Sequence, residues 1–301
     1  MGKRVVVLMG GWSAEREVSL VSGRACAEAL TQQGYEVRTV DLGRDVSALV
    51  AALTPPPDVV FNALHGRFGE DGCVQGMLNL MAIPYTHSGL LASALAMDKS
   101  AAKVMFAAAG LPVAEHEIVR RGSLCEREPM PRPFVVKPVN EGSSVGVRLV
   151  FVDDHRPAFA DGDGDPDDLV MVERFIPGRE LTVAVMGDRA LAVTEIATHR
   201  GFYDYDAKYA PGGSRHLIPA PVPPEIAEEA CEIAIRAHRA LGCRGVSRAD
   251  FRFDGERLFI LEVNTQPGMT ATSLVPEQAA FVGIPFGDLV AWMVEKAEYD
   301  T

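Results

Sequence analysis

The chain has 301 residues, 48% of them hydrophobic and 23% charged, with a formal net charge of −12. That length exceeds one ordinary core, so two or three domains are expected. The acidic balance argues against nucleic acid or an anionic membrane as the main partner, so any anionic substrate needs a local cluster of Lys, Arg and backbone N–H groups. Cys26, Cys73, Cys125, Cys231 and Cys243 are an odd number without CxxC spacing, which points away from a disulfide framework or zinc site and toward a reducing cytoplasm. The apolar run after Lys3-Arg4 is too short for a signal segment or membrane span.

Residues 5–9 are continuously apolar and end at Gly10-Gly11, as a buried parallel strand should. Ser13 is placed to cap a helix running to about Gln33, with Gly34 as its stop. Strands at 35–42 and 59–64 complete a βαβ rhythm, so a small open α/β domain is expected, with ligands beyond the strand C-terminal ends. A dinucleotide fold is disfavoured: the loop 10–15 lacks the third glycine of GxGxxG, and Asp41 is the only acid available for a ribose. Glu15 falls at the helix start, where the helix dipole favours an acid, so capping and ligand binding both remain open. The loop 65–72, HGRFGEDG, allows its backbone close to a small polar ligand, and equally suits a plain turn.

Residues 90–109 read as one Ala-rich helix containing Asp98-Lys99 and stopped by Gly110-Leu111-Pro112. Beyond a Pro-rich linker, strand 134–138, a Gly/Ser loop at 139–146 and strand 147–151 form an antiparallel flap. GxxxxGK[ST] is absent, but small residues beside Lys137 make a nest suited to phosphate oxygens. The acidic run 161–168 fails as a calcium loop, because Pro166 and Val172 occupy the positions that need Gly and Glu. Strand 169–176 carries Glu173 and leads into Glu180, suiting an adenine against the linker and a ribose at Glu180. The aromatic, polar stretch 199–219 reads as a lid. An amphipathic helix at 225–241 follows.

The most informative stretch is 245–274. Two strands flank Asp254-Gly255, with Phe251 and Phe253 on one face and Arg248, Asp250 and Arg252 on the other. A two-residue turn would put Asp250 and Glu262 on opposite faces. A three-residue turn (254–256) or a bulge would unite Arg248, Asp250, Glu262 and Asn264. Such a face is either a solvated hairpin surface or a Mg²⁺ site completed by phosphate oxygens.

Together these segments resemble the D-alanine–D-alanine ligases of the ATP-grasp superfamily over essentially the whole chain. The resemblance is carried by GGWSAEREVSL (10–20), HGRFGEDG (65–72), YTHSGLLASALAMDK (85–99), KPVNEGSSVG (137–146), DYDAKY (204–209), SRADF (247–251) and LEVNTQPGMTATSLVP (261–276). Val139-Asn140 departs from the more polar or basic pair of many relatives.

The fold this implies is α/β (α+β): an ATP-grasp fold with an N-terminal open parallel α/β domain (1–98), a central flap domain (99–182) and a C-terminal mixed-sheet catalytic domain (183–301). The implied reaction joins two D-alanines through an acyl phosphate at the expense of ATP, for peptidoglycan precursors. Lys99, Lys137 and Lys208 would meet ATP phosphates, with the Ser144 and Val145 N–H groups above them. Glu173, Phe175, Ile176 and Glu180 would form the adenosine pocket. Asp250, Glu262 and Asn264 would hold two Mg²⁺ ions, with Mn²⁺ as a substitute. Glu15 and His65 would receive the first D-alanine, and Ser273 and Leu274 the carboxylate of the second. Arg248 and the Gly268 N–H would steady the tetrahedral intermediate, while Ser143 and Tyr209 would link flap and lid to Glu15. A cytoplasmic homodimer, with no nucleic-acid or membrane partner, is implied as well.

Overall fold

The computed structural model describes residues 2–142, 145–159, 164–198, 213–270 and 272–300. Strand β1 (Arg4–Gly10) is apolar at successive positions, and Val5, Val6, Val7 and Leu8 are all buried, as expected of a strand covered on both faces. Each such side chain contributes roughly 1.5–3 kcal/mol by leaving water. β1 lies between β2 (Glu36–Leu42) and β3 (Val59–Asn62), parallel to both.

Helix α1 spans Arg16–Gln32, starting later than the sequence suggests. Glu15 occupies the N-cap position without a side-chain cap bond, and the Ser13 hydroxyl accepts from Glu15 N–H at 3.1 Å. Ser13 also donates to the His65 carbonyl at 2.7 Å, so its role is to tie two loops together. Asp41, the lone dinucleotide candidate, is instead held bidentate by Arg16 at 2.8 Å on both oxygens. Two short helices follow, α2 (Val46–Ala52) and α3 (Cys73–Leu80).

The helix expected at 90–109 is two helices, α4 (Leu90–Met97) and α5 (Lys99–Ala108). Asp98 ends the first in extended conformation and caps the second, accepting from Ala101 N–H at 2.9 Å. Helical propensity is high on both sides, but an acid that competes for backbone N–H groups breaks the run.

A four-stranded antiparallel sheet has the order β4-β7-β5-β6, built from β4 (His116–Arg120), β5 (Phe134–Pro138), β6 (Arg148–Val150) and β7 (Leu169–Arg174). β5 and β6 pair antiparallel across the Gly/Ser loop, as the flap reading requires.

The largest sheet has the order β10-β9-β8-β11-β12: β8 (Arg179–Met186), β9 (Arg189–Thr198), β10 (Ser214–Leu217), β11 (Val246–Phe253) and β12 (Leu258–Asn264). Its strands pair antiparallel, and Val113 adds an isolated parallel bridge to Ile260 at its edge strand β12. Helix α6 (Pro224–Ala240) covers one face, where Ile233 and Ala237 join Phe251, Phe253 and Leu181 in the core. Helices α7 (Leu274–Phe281) and α8 (Phe286–Glu295) complete the described chain, α8 packing back on α1. No described helix is long and apolar enough to cross a membrane.

The hairpin turn is not the three-residue one. Phe253 pairs with Leu258, leaving four residues, and Asp254 closes them by accepting from Glu256 and Arg257 N–H at 2.9 and 2.8 Å. The face is united by the other route, a bulge: Asp250 pairs with Glu262 while Phe251 pairs with Ile260, so Leu261 is the extra residue.

Candidate active site

Two cavities meet over the β11–β12 hairpin. The larger, about 480 Å³, is lined by Glu15, His65, Arg248, Gly268, Ser273 and Leu274. The smaller, about 100 Å³, lies between β5, β7 and the 175–180 linker, and takes in Lys137, Val145, Glu173, Phe175, Ile176 and Glu180. Lys99, Glu141, Gly142 and Glu262 line both. Asn264 faces the first cavity and Asp250 the second. The candidate residues among those described therefore divide into two adjoining chambers. Ser143, Ser144, Lys208 and Tyr209 lie outside the described residues.

The first chamber depends on close backbone approach. Gly66 has φ of +70°, and a Cβ there would sit 2.7 Å from Ser13 Cβ and 3.2 Å from a Glu15 carboxylate oxygen. Glycine is the residue that lets the His65 loop lie against the start of α1. His65 is buried, with Nε2 3.3 Å from Ser22 Oγ. Burial lowers its pKa, opposed by the Glu15 charge, so the imidazole is neutral near pH 7.

Glu70 and His216 also line this chamber, and their sequence context assigns neither a role. Burial, and then the neighbouring Glu15 charge, push Glu70 up to about 8. His216 pairs with Glu277 of α7 at 2.6 Å and lines the cavity beside Ser273 and Leu274. Glu70 lies within the motif 65–72, yet nothing local shows that the fold sets it against Glu15.

The hairpin face is not a solvated surface. Asp250 is buried, taking Arg248 on both oxygens at 2.8 and 2.7 Å and the Thr182 hydroxyl at 2.6 Å. Arg252 lines the second chamber beside Asp250: it is buried and donates to the Ile176 and Gly178 carbonyls at 3.1 and 3.0 Å, bracing the linker there. Its spacing groups it with Arg248 and Asp250, and β11 pairs with β8 without a break through all three.

Lys99 donates to the Glu141 carbonyl at 2.5 Å and stands 3.6 Å from Glu262. Lys137 pairs with Glu173 at 2.6 Å. A second lysine, Lys103, meets the other oxygen of Glu173 at 2.5 Å with no side-chain exposure. Lys103 follows Lys99 by one helical turn, a spacing that could have drawn attention to it.

The donor chemistry fits a hard divalent cation. Asp250, Glu262 and Asn264 offer two carboxylates and an amide oxygen on one face, and Mg²⁺ favours such oxygens when phosphate supplies the rest. Among the described residues no group of three or more His, Cys, Asp or Glu is placed to hold a metal ion.

Adjoining chambers, one walled by lysines and a flap and one by substrate-sized polar groups, on a parallel α/β unit followed by two antiparallel sheets, define an ATP-grasp ligase. The family model described as D-ala D-ala ligase C-terminus matches residues 105–295, and that described as D-ala D-ala ligase N-terminus matches 44–88. The chain is 63% identical over 301 residues to a D-alanine–D-alanine ligase of Rhodospirillum rubrum, and 64% identical over 308 to that of Paramagnetospirillum magneticum, covering all of both chains in each case. The crystal structure of the Bacillus anthracis D-alanine–D-alanine ligase complexed with ATP superposes with a TM-score of 0.82 at 27% identity, covering 98% of this chain and 97% of that one. The chain belongs to the D-alanine–D-alanine ligase family.

Proposed function

We propose that this chain joins two D-alanines to D-alanyl-D-alanine, converting ATP to ADP and phosphate, for peptidoglycan precursor synthesis. The observation that supports the reading is that Lys99 and Glu262 line both chambers, so a nucleotide in one and an amino acid in the other would meet at one junction. The first D-alanine carboxylate attacks the γ-phosphate, forming an acyl phosphate and releasing ADP. The second D-alanine amine then attacks the acyl carbon, and phosphate leaves with its bond electrons.

Attack by a carboxylate on a polyphosphate is opposed by like charge, so cations must offset it. Lys99 and Lys137 serve here as phosphate contacts, with Lys208 from the lid and the flap N–H groups of Ser144 and Val145. Phe175, Ile176, Glu173 and Glu180 hold the adenosine. Asp250, Glu262 and Asn264 would hold two Mg²⁺ ions, with Mn²⁺ able to substitute. When bound, these ions supply charge neutralisation to the phosphates. Glu15 takes the first substrate's ammonium and His65 orients it. Ser273 and Leu274 receive the second carboxylate. Arg248 and the Gly268 N–H stabilise the oxyanion of the tetrahedral intermediate. The amine proton passes to the leaving phosphate oxygen or to a Tyr209–Ser143 relay, and closure of flap and lid protects the acyl phosphate from water.

The proposal extends to a cytoplasmic homodimer of three-domain chains. The first junction is kept at 98/99. The second is set at the Pro177-Gly178 turn rather than 182/183, because β8 runs unbroken across the latter. Phosphate release with D-alanine, L-alanine, D-lactate and D-serine tests the reaction. Release with D-alanine and ATP is expected; no ATP cleavage with any of them, or release only with another acid, would overturn it.

A further inference from the structure

Lys103 is a buried cation that neither chamber uses directly. Helix α5 presents Lys99 and Lys103 one turn apart, so they share a face. Lys99 reaches the junction of the chambers, while Lys103 lies deeper and lines neither. Its ammonium is 2.5 Å from Glu173 Oε1 and donates to the Ile260 carbonyl of β12 at 3.1 Å. Glu173 Oε2 is 2.6 Å from Lys137, and the carboxylate is itself almost fully buried. One carboxylate thus holds two ammonium groups, one per oxygen, and only Lys137 is reachable from the nucleotide chamber.

An ammonium buried this deeply is unfavourable unless paired, and burial does lower the Lys103 pKa, against the pull of Glu173. Glu173 responds in the opposite way. Burial would raise its pKa, but Lys103 first and Lys137 second outweigh that and hold it down to about 2. Lys137 therefore faces two demands, its carboxylate and any phosphate entering the chamber. Were it the sole partner of Glu173, answering the phosphate would strand a buried anion. The second lysine removes that conflict.

We propose that Lys103 is a positioning residue that keeps Glu173 ionised and fixed when Lys137 turns from Glu173 to the phosphates of an arriving nucleotide. This rests on reading the smaller chamber as the ATP site. Lys103 touches no substrate; it acts through Glu173.

The test compares Lys103→Met, Lys103→Arg, Glu173→Gln and the double variant Lys103→Met/Glu173→Gln, each as the full chain with Mg²⁺. Binding of the non-hydrolysable analogue AMP-PNP is measured by calorimetry, and kcat and KM for ATP and D-alanine by phosphate release. Lys103→Met is expected to weaken AMP-PNP binding and raise KM for ATP by about tenfold, with kcat at saturating ATP and KM for D-alanine within about threefold. Lys103→Arg should recover most of the loss. The double variant should bind AMP-PNP about as well as Glu173→Gln alone, because a neutral amide no longer needs the second cation.

AMP-PNP affinity unchanged in Lys103→Met, or losses that multiply in the double variant, would overturn the proposal. Should Lys103→Met fail to fold, the double variant removes Glu173 and Lys103 together and leaves Lys137 as it stands in Glu173→Gln, so it decides by itself: affinity matching Glu173→Gln supports the role, and a further tenfold loss sinks it. Wild-type protein that binds AMP-PNP but releases no phosphate with D-alanine would refute the assigned reaction and leave the Lys103 comparison readable. Wild-type protein that does not bind AMP-PNP would overturn both.

Discussion

Arg248 and Asp250, two residues apart on β11, form a two-pronged ion pair at 2.8 and 2.7 Å that spans the wall between the chambers. The guanidinium lines the larger cavity and the carboxylate the smaller. The pair thus divides two tasks, and mutation can separate them. Arg248→Ala is expected to leave AMP-PNP affinity within about threefold of wild type while lowering kcat by about 10²–10³, the range for losing a preorganised oxyanion donor. Calorimetry beside single-turnover kinetics reads both quantities. A loss of nucleotide affinity as large as the loss of kcat would mean that Arg248 serves the ATP site instead.

Ser22 supplies a second test, on the substrate side. Its hydroxyl is 3.3 Å from His65 Nε2 and accepts from Met269 N–H at 3.4 Å, joining α1 to both loops of the larger chamber. Ser22→Ala removes one polar neighbour of the ring at a residue that does not line the cavity. KM for D-alanine at the first site should rise about three- to tenfold, with a smaller change in kcat and none in KM for ATP. Steady-state kinetics with both substrates varied would show it, and an unchanged D-alanine KM would remove Ser22 from any role in orienting His65.

Much of this site was legible in the sequence where local pattern and chemistry coincide. The apolar run at β1, the lysine beside the Gly/Ser loop and the two acids of the hairpin each report their own surroundings. Features set by distant parts of the chain were not. Asp98 breaks a strongly helical run because it caps the next helix, and the bulge at Leu261, rather than an odd-length turn, sets the hairpin faces. Lys103 reads as an ordinary helix lysine until Glu173, far along the chain, is packed against it. Glu70 likewise acquires its altered acidity only when the fold buries it and brings Glu15 near.

Glu70 makes that long-range effect measurable as a pH dependence of stability. Its folded pKa, pushed up to about 8 by burial and by Glu15, lies above the value of about 4.3 expected in the unfolded chain. The folded protein therefore binds the extra proton more tightly. Its stabilising effect is fully present below the unfolded pKa and is lost as pH rises through about 8. The slope in this window reaches at most about 1.4 kcal/mol per pH unit. Glu70→Gln cannot titrate and should flatten the curve, gaining stability over wild type at pH 8.5 relative to pH 5.5. Urea unfolding at the two pH values decides it; curves that stay parallel would show that Glu70 is ionised throughout.

The bulge at Leu261 leads to the last prediction, which concerns divalent cations. It sets Glu262 directly across from Asp250 and within 3.6 Å of Lys99, at the junction of the chambers. If Glu262 is a cation ligand, its charge matters more than its size, because an amide of equal volume binds a hard cation far less well. Glu262→Gln should raise the Mg²⁺ concentration for half-maximal phosphate release by at least about tenfold, as losses in or near a metal shell generally do. Glu256→Gln, in the exposed turn of the same hairpin, changes the same charge a few residues away and should leave the Mg²⁺ requirement where it was. Mg²⁺ titrations of the two variants at fixed ATP separate a ligand from a general contribution of negative charge. Equal shifts in both would assign the effect to the field of the hairpin, and no shift in either would remove Glu262 from the cation site.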